Sequence, residues 1–151
     1  MNLIVNKMTL DDLSSIKDIL ISDFDDFWSY DIFKEELMCD NSYFIVAKDK
    51  DNDNEIVGFA GFKVIFDEAD IMNIVVKKIY RNTGIGSVLL EHIISYAKAQ
   101  NLKTITLEVN DHNLSAIRLY DKFNFDHIGI RKKYYNGESD AIIMSKKIWI
   151  L

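Results

Sequence analysis

Several residue types are scarce in this 151-residue chain, and each scarcity removes a class of protein. Cys39 is the only cysteine, so no disulfide can form within the chain and a reducing cytoplasm is the expected location. Proline is absent, and no repeat or flexible linker divides the sequence. The chain is therefore expected to form a single domain over residues 1–151.

Long apolar runs, clustered histidines and an excess of positive charge are also missing. The apolar runs are too short to cross a bilayer, and no basic region precedes an apolar stretch at the N-terminus, so no membrane association is expected. The three histidines are scattered, which predicts no metal site. A formal net charge of −6 argues against nucleic-acid binding.

The charged residues are unevenly spread. An acidic segment, opposed only by Lys34, holds Asp23, Asp25, Asp26, Asp31, Glu35, Glu36 and Asp40. A basic run of Arg131, Lys132 and Lys133 lies near the C-terminus. Both runs fit ordinary solvated faces, and the acidic segment also fits attraction of a cationic acceptor such as a basic peptide or an amine.

Hydrophobic periodicity and turn residues predict alternating strands and helices. Strands are predicted at residues 3–8, 42–48, 55–66, 69–77, 103–109, 125–134 and 140–149. Helices are predicted at residues 10–22, 31–39, 84–101 and 113–123. Thr9 and Asn113 are the expected N-caps, and Asn136-Gly137 is a hairpin turn signal. This order predicts an α/β fold, a mixed and mostly antiparallel central sheet with helices on both faces.

The segment Arg81-Asn82-Thr83-Gly84-Ile85-Gly86 lies between a β-branched strand and an amphipathic helix. A helix N-terminus offers outward N–H groups and a positive dipole end, and glycine allows close approach of a phosphate. Arg81 adds a positive charge. The segment therefore predicts a pyrophosphate site, although an ordinary tight strand-to-helix connection would need glycine too.

Two other glycine-rich phosphate motifs fit this segment less well. A dinucleotide-binding turn needs a third glycine, but Leu89 stands at that position. A P-loop ends in Gly-Lys-Ser or Gly-Lys-Thr, and neither is present. A nucleotide-binding α/β domain is therefore a weaker interpretation.

Further motifs occur in a fixed order around this segment. They comprise Trp28-Ser29, Phe33, Asn73–Val76, Leu107–Val109, Asn113, Ala116-Ile117, Leu119-Tyr120, Arg131, Tyr134-Tyr135 and Asp140–Met144. With Arg81–Gly86, they make the chain resemble the GNAT superfamily of acetyltransferases over essentially its whole length. Within that superfamily it is similar to the RimI-type ribosomal-protein-alanine N-acetyltransferases. The resemblance implies the GNAT fold, with acetyl-CoA as co-substrate and no metal.

The resemblance also implies roles for individual residues. Acetyl-CoA would be bound by the main chain of Ile74, Val75 and Val76, by Arg81, Asn82, Thr83, Gly84, Ile85 and Gly86, and by Asn113 and Tyr120. Glu108 would be the general base and Tyr120 the general acid. The acceptor would be contacted by Trp28, Tyr134 and Tyr135, which also fit ordinary aromatic packing.

The sequence around the two implied catalytic residues leaves structural roles open as well. Glu108 follows Ile105-Thr106-Leu107, and strand alternation places it on the face of Thr106, where a solvated glutamate would also fit. Tyr120 lies in a predicted helix among apolar residues, as core tyrosines do. Its ordinary pKa of about 10 keeps the phenol protonated for proton donation.

The expected function is acetylation of the N-terminal α-amine of a protein, an alanine-starting small-subunit ribosomal protein in particular. The alternatives are a GNAT enzyme acting on lysine side chains or on a small amine such as a polyamine or an antibiotic, and a non-catalytic acyl-CoA-binding module. Retention of both Glu108 and Tyr120 argues against the last, since binding alone needs neither side chain.

Overall fold

The structure is a computed structural model that describes residues 1–25 and 28–148. Asp26 of the acidic segment and residue 149, the predicted end of the last strand, lie outside the described residues. The strands are β1 (Leu3–Lys7), β2 (Ser42–Asp49), β3 (Glu55–Ile65), β4 (Glu68–Val76), β5 (Thr104–Asn110), β6 (Asp126–Tyr135) and β7 (Ser139–Lys147). The helices are α1 (Leu10–Ser15), α2 (Leu20–Phe24), α3 (Tyr30–Leu37), α4 (Ile85–Ala99) and α5 (Leu114–Lys122).

The strands form a seven-stranded sheet in the order β1-β2-β3-β4-β5-β7-β6. Of the described registers, β4–β5 is parallel, whereas β1–β2, β2–β3, β5–β7 and β6–β7 are antiparallel. The prediction of an α/β fold with a mixed, mostly antiparallel sheet is therefore confirmed. The predicted strand boundaries agree with these elements to within one or two residues.

The single helix predicted for residues 10–22 is wrong, because the chain forms α1, a 3₁₀ turn at Lys17–Ile19 and then α2. Thr9 caps α1 as predicted, and its side chain accepts from the backbone N–H of Asp12. The break follows from Ser15, whose hydroxyl donates to the carbonyl of Asp12 at 2.6 Å. The N–H of Ile16 then bonds to Leu13 instead of Asp12, so the α-helical ladder stops there.

Several asparagines at the ends of helices and in turns have left-handed backbones, the conformation that asparagine tolerates best after glycine. Asn101, which follows α4, has φ +56°, and Asn124, which follows α5, has φ +64°. Asn136 and Gly137 have φ +53° and +71° between β6 and β7. Positive φ at both central residues is the signature of a type I′ hairpin turn, as the sequence predicts.

The described chain divides into two compact units. The first unit comprises Met1–Val64 and Met72–Ile93, and the second comprises Ile65–Ile71 and the residues from Ile94 onward. The core of the first unit is rich in phenylalanine: the Phe33 ring lies 5.0 Å from Phe44 and 5.3 Å from Phe59. In the second unit, β5 alternates buried and half-buried residues, and Tyr120 packs against Phe125 at 5.5 Å between ring centroids.

Candidate active site

The predicted pyrophosphate segment begins after β4 and ends in the first turn of α4. Gly84 occupies the N-cap position, because the N–H of Val88 donates to its carbonyl at 3.2 Å. Its φ is +93°, and a Cβ atom placed on it would have no heavy atom within 4 Å. Glycine is therefore required here by backbone conformation, and open space lies beside the helix N-terminus. Both features fit an approaching pyrophosphate.

The guanidinium of Arg81 donates hydrogen bonds to other groups of this protein. Its Nε donates to the carbonyl of Val76 at 3.1 Å, and its Nη2 donates to the carbonyl of Phe24 at 3.2 Å. Its Nη1 donates to the Asp25 carboxylate at 3.1 Å. Arg81 thus ties the end of β4 to the end of α2, which the sequence did not predict. A direct contact between Arg81 and a phosphate stays a prediction.

Asp25, in the acidic segment, is the acidic partner of this contact. It ends α2 with a left-handed backbone (φ +56°), and its carboxylate also accepts from the Lys78 ammonium at 2.8 Å. Hydrogen bonds from Lys78 and then Arg81 hold the pKa of the Asp25 carboxyl below its usual range, although desolvation opposes them. The Asp25 carboxylate is therefore paired with cations of this protein.

The 3₁₀ turn Lys78–Tyr80, which precedes the segment, is anchored to the start of β3. Tyr80 donates to the Glu55 carboxylate at 2.5 Å, and Lys77 donates to the same carboxylate at 3.1 Å. Burial raises the pKa of Glu55, but these hydrogen bonds outweigh it and the pKa is lowered. The carboxylate therefore stays ionised and fixes the path of the chain into Arg81.

The last residues of β4 were predicted to bind the co-substrate through their main chain. The described parallel register with β5 ends at the pair Ile71 and Leu107, whereas β4 continues to Val76. Val75 packs against the core of the first unit, and its carbonyl lies 3.0 Å from the position of a Cβ on Gly58. The main-chain role of Ile74, Val75 and Val76 stays a prediction.

Asn73, which precedes these residues, contains an unusual carboxamide. Both its Oδ1 and its Nδ2 are buried and have no hydrogen-bond partner among the described residues. A buried polar group without a partner is destabilising by about 1–3 kcal/mol. The sequence offered no signal for this, since an asparagine in a strand is usually read as a surface residue.

Glu108 lies on the half-buried face of β5, together with Thr106 and Asn110. Leu107 and Val109 are buried on the opposite face, as strand alternation predicts. The Glu108 side chain is 28% exposed, and its Oε1 lies 2.7 Å from the Nε of Arg131. The basic run read from the sequence therefore contributes an ion pair to the candidate base.

Tyr120 lies in α5, which Asn113 caps as predicted by accepting from the N–H of Ala116 at 3.2 Å. The tyrosine is only 6% exposed. Burial, with a smaller contribution from Tyr135, raises the pKa of the Tyr120 phenol. The hydroxyl is thus protonated at neutral pH, as a proton donor must be.

The predicted acceptor-binding aromatic residues differ in their surroundings. Trp28 makes edge contacts with Phe33 and Phe44, at 5.6 Å and 6.2 Å between ring centroids, which is ordinary aromatic packing. Tyr134 is half-exposed and meets Tyr135 edge-on at 5.1 Å. Burial raises the pKa of Tyr135, and the charge of Glu108 and then Tyr134 raise it further. Acceptor contact by these three residues stays a prediction.

Asp140 holds the backbone of β6 just before the tyrosine pair. Its Oδ1 accepts from the backbone N–H of Lys133 at 2.8 Å, and Lys133 has φ +50°. Its Oδ2 accepts from the Lys132 ammonium at 3.3 Å. In the sequence Asp140 is visible only as part of a motif, because its structural role depends on a contact seven residues back along the chain.

Within residues 1–25 and 28–148, no group of three His, Cys, Asp or Glu side chains is placed to hold a metal ion. In the same ranges, none of the helices has both the length and the hydrophobicity of a membrane-spanning helix.

Comparisons with known proteins agree with the fold and the segment order. Residues 13–125 match the acetyltransferase (GNAT) family. A Bacillus subtilis (strain 168) relative, named provisionally as a ribosomal protein bS18-alanine N-acetyltransferase, is 35% identical over 144 residues, which are 93% of this chain and 92% of that protein. The Salmonella typhimurium ribosomal protein bS18-alanine N-acetyltransferase is 38% identical over 99 residues, 64% of this chain and 67% of its own length.

A solved structure gives the same result. The crystal structure of the Escherichia coli ribosomal-protein-S18-alanine N-acetyltransferase superposes with a TM-score of 0.88 at 29% identity, covering 99% of this chain and 96% of that one. The chain therefore belongs to the GNAT family of acetyltransferases, and its activity is that of an N-acetyltransferase.

Proposed function

We propose that this chain transfers the acetyl group of acetyl-CoA to the N-terminal α-amine of a protein, and that the acceptor is an alanine-starting small-subunit ribosomal protein. The observation that carries the proposal is the position of Glu108, a partly exposed carboxylate on the half-buried face of β5. The names of the bacterial relatives support the acceptor class.

An α-amine suits the chemistry of such a site. Its pKa of roughly 7.7–8.0 leaves about one-tenth of it neutral at pH 7, whereas a lysine with a pKa of about 10.4 is neutral in less than about one part in a thousand. A single carboxylate, acting directly or through a water, can remove the remaining proton from an α-ammonium. Lysine would need a stronger base.

The proposed transfer balances atoms and protons. The neutral amine nitrogen attacks the thioester carbonyl carbon, a carbon–nitrogen bond forms, and the carbon–sulfur bond then breaks. Glu108 takes the proton that the nitrogen loses, the Tyr120 hydroxyl gives a proton to the departing thiolate, and proton exchange with water restores both side chains. Burial raises the pKa of Tyr120, so its hydroxyl stays protonated until the thiolate departs beside it.

The first unit would hold the donor by main-chain groups. The helix N-terminus at Gly84 would meet the pyrophosphate, and a backbone N–H near Val76 would meet the oxyanion of the tetrahedral intermediate. Arg81, tied to Val76 and Phe24, would keep these main-chain groups in place.

The test measures release of free CoA thiol from acetyl-CoA with two short basic peptides. One peptide begins with a free alanine and lacks lysine, and the other is N-terminally blocked and contains lysine. We expect release with the first peptide alone, lost in Glu108→Gln and weakened in Tyr120→Phe. Release with the blocked peptide would identify a lysine enzyme. Silence with both peptides would favour a small-amine acceptor and would contradict the proposal.

A further inference from the structure

The ion pair between Glu108 and Arg131 crosses the width of a strand. Glu108 on β5 stands opposite Ile143 of β7, and Arg131 on β6 stands opposite Ala141 of the same strand. Neighbouring strands are about 4.8 Å apart, so roughly 10 Å separates the backbones of β5 and β6. The Arg131 side chain therefore extends over β7 to bring its Nε within 2.7 Å of the Glu108 carboxylate.

The guanidinium of Arg131 lies between a carboxylate and an aromatic ring. Its Cζ is 5.5 Å from the centroid of the Tyr134 ring, which in turn meets Tyr135 edge-on. A carboxylate beside an aromatic face is a general binding site for an organic cation, through charge-assisted hydrogen bonds and cation–π attraction. The same arrangement would accept a primary ammonium group.

The exposure of the pair indicates that Arg131 can leave this position. Its side chain is 57% exposed, twice the 28% of Glu108. Exposed ion pairs contribute little to stability, because water solvates both partners well and the long side chain loses conformational entropy on pairing. An arginine also keeps its proton at all physiological pH values, so while it stays on Oε1 it competes with any other cation for the Glu108 carboxylate.

We propose that the Arg131 guanidinium occupies the subsite for the acceptor's α-ammonium in the free enzyme, and that a bound acceptor replaces it on Glu108. The inference rests on the proposed function, since it takes Glu108 as the group that meets the acceptor amine. It makes Arg131 a positioning residue that sets acceptor affinity by competition. Removal of its charge then strengthens acceptor binding, whereas removal of a structural contact or of an acceptor-binding residue weakens it.

The experiment measures equilibrium binding of two peptides to the full chain with CoA at saturation, so that no acetyl transfer occurs. The first peptide begins with alanine, and the second has the same sequence but begins with a propanoyl group, which lacks the amine. The variants are Arg131→Gln, Arg131→Lys and, as a control for net charge, Lys133→Gln two residues further along β6. The readout is the ratio of the two peptide affinities.

We expect Arg131→Gln to tighten binding of the alanine peptide by about two- to fivefold, as expected for one exposed ion pair, and to leave the propanoyl peptide unchanged. Arg131→Lys and Lys133→Gln should keep the wild-type ratio. Weaker binding of the alanine peptide to Arg131→Gln, or an equal change for both peptides, would overturn the inference.

Release of CoA by the wild-type chain with the alanine peptide and acetyl-CoA separates the two claims. Turnover together with an unchanged affinity ratio in Arg131→Gln overturns the inference alone. Absence of turnover overturns the proposed function, and the affinity ratio still shows whether Arg131 competes with an ammonium for Glu108.

Discussion

Arg81 in the first unit and Glu108 in the second are both charged residues with predicted functional roles, but they differ in how many contacts they make within their own unit. Arg81 donates to two main-chain carbonyls and one carboxylate, all within the first unit. Glu108 has one described ion pair, with a guanidinium that is itself more than half exposed.

Different kinds of substitution should therefore matter in the two units. Around Arg81 the side chains hold a backbone shape, so activity there should depend on backbone conformation. Around Glu108 the backbone is a regular strand, and the carboxylate itself faces the partly exposed side. A change in the chemistry of the Glu108 side chain should therefore alter turnover. A change that disturbs the backbone near Arg81 should alter the affinity for acetyl-CoA.

The largest expected effect is that of Glu108→Gln on turnover. Loss of a general base lowers kcat by about 10²–10⁴-fold. Steady-state CoA release with the alanine peptide measures this, and Glu138→Gln, which removes the same charge at the β6–β7 turn, serves as the control. A kcat within tenfold of wild type would show that Glu108 is not the base.

The next effect is that of Gly84→Ala on acetyl-CoA affinity. An alanine in a left-handed conformation costs about 1–2 kcal/mol, and the backbone shift that relieves this strain displaces the N–H groups at the start of α4, so the dissociation constant for acetyl-CoA should rise by up to about tenfold. Gly137→Ala is the matched control, since Gly137 also has positive φ and open space at its Cβ position. Both variants should lose similar stability in urea unfolding. Equal affinity losses in both would contradict a local role for Gly84.

A smaller and pH-dependent loss of folding stability is expected for Asp140→Asn. The backbone hydrogen bond from Lys133, more than the Lys132 ammonium, lowers the pKa of the Asp140 carboxyl in the folded chain. A depressed folded-state pKa stabilises the chain above the unfolded-state pKa of about 3.9, and this stabilisation is lost as the pH falls through the folded value.

Urea unfolding of wild type and Asp140→Asn at several pH values tests this. The wild type should be the more stable from pH 7 to about pH 5, and the difference should shrink below about pH 4. At neutral pH the variant should also raise the KM for the alanine peptide by about threefold, because a charge-assisted hydrogen bond to the β6 backbone is weakened. A stability difference that is constant down to pH 2 would contradict the assignment.

The smallest effect, on the KM for acetyl-CoA, is expected for Ile74→Val. If Ile74 serves acetyl-CoA through its main chain, trimming one methylene should change the KM for acetyl-CoA by less than about twofold, with at most about 1.5 kcal/mol lost in stability. Val75→Ala should cost more stability, because Val75 packs against the first unit's core. A large change in KM for Ile74→Val alone would show that its side chain contacts the donor.

Local sequence patterns predicted much of the fold because the responsible interactions are local. The N-cap at Asn113 depends on a backbone N–H three residues ahead, and the turn at Asn136-Gly137 depends on two φ angles. The helix predicted for residues 10–22 failed at an equally local point. Hydrophobic periodicity depends only on which residues are apolar. It gives no sign that the Ser15 hydroxyl donates a hydrogen bond to the carbonyl of Asp12.

The contacts that define the site could not be predicted in this way. Arg81 meets Asp25 across 56 positions of the chain, and the Arg131–Glu108 pair joins two strands separated by a third. The acidic segment and the basic run both fit solvated faces, and the acidic segment also fits attraction of a cationic acceptor. Neither interpretation names a partner within the protein. Only the tertiary structure shows which charge each of them meets.

The most direct test of the separate roles of the two units measures two quantities on the same preparations of Glu108→Gln and Gly84→Ala. These are the equilibrium affinity for acetyl-CoA and the CoA release with the alanine peptide at saturating acetyl-CoA. We predict that Glu108→Gln keeps the affinity within about twofold and loses at least about 100-fold in release. Gly84→Ala should lose affinity and keep most of its release. Parallel losses of both quantities in both variants would contradict the account.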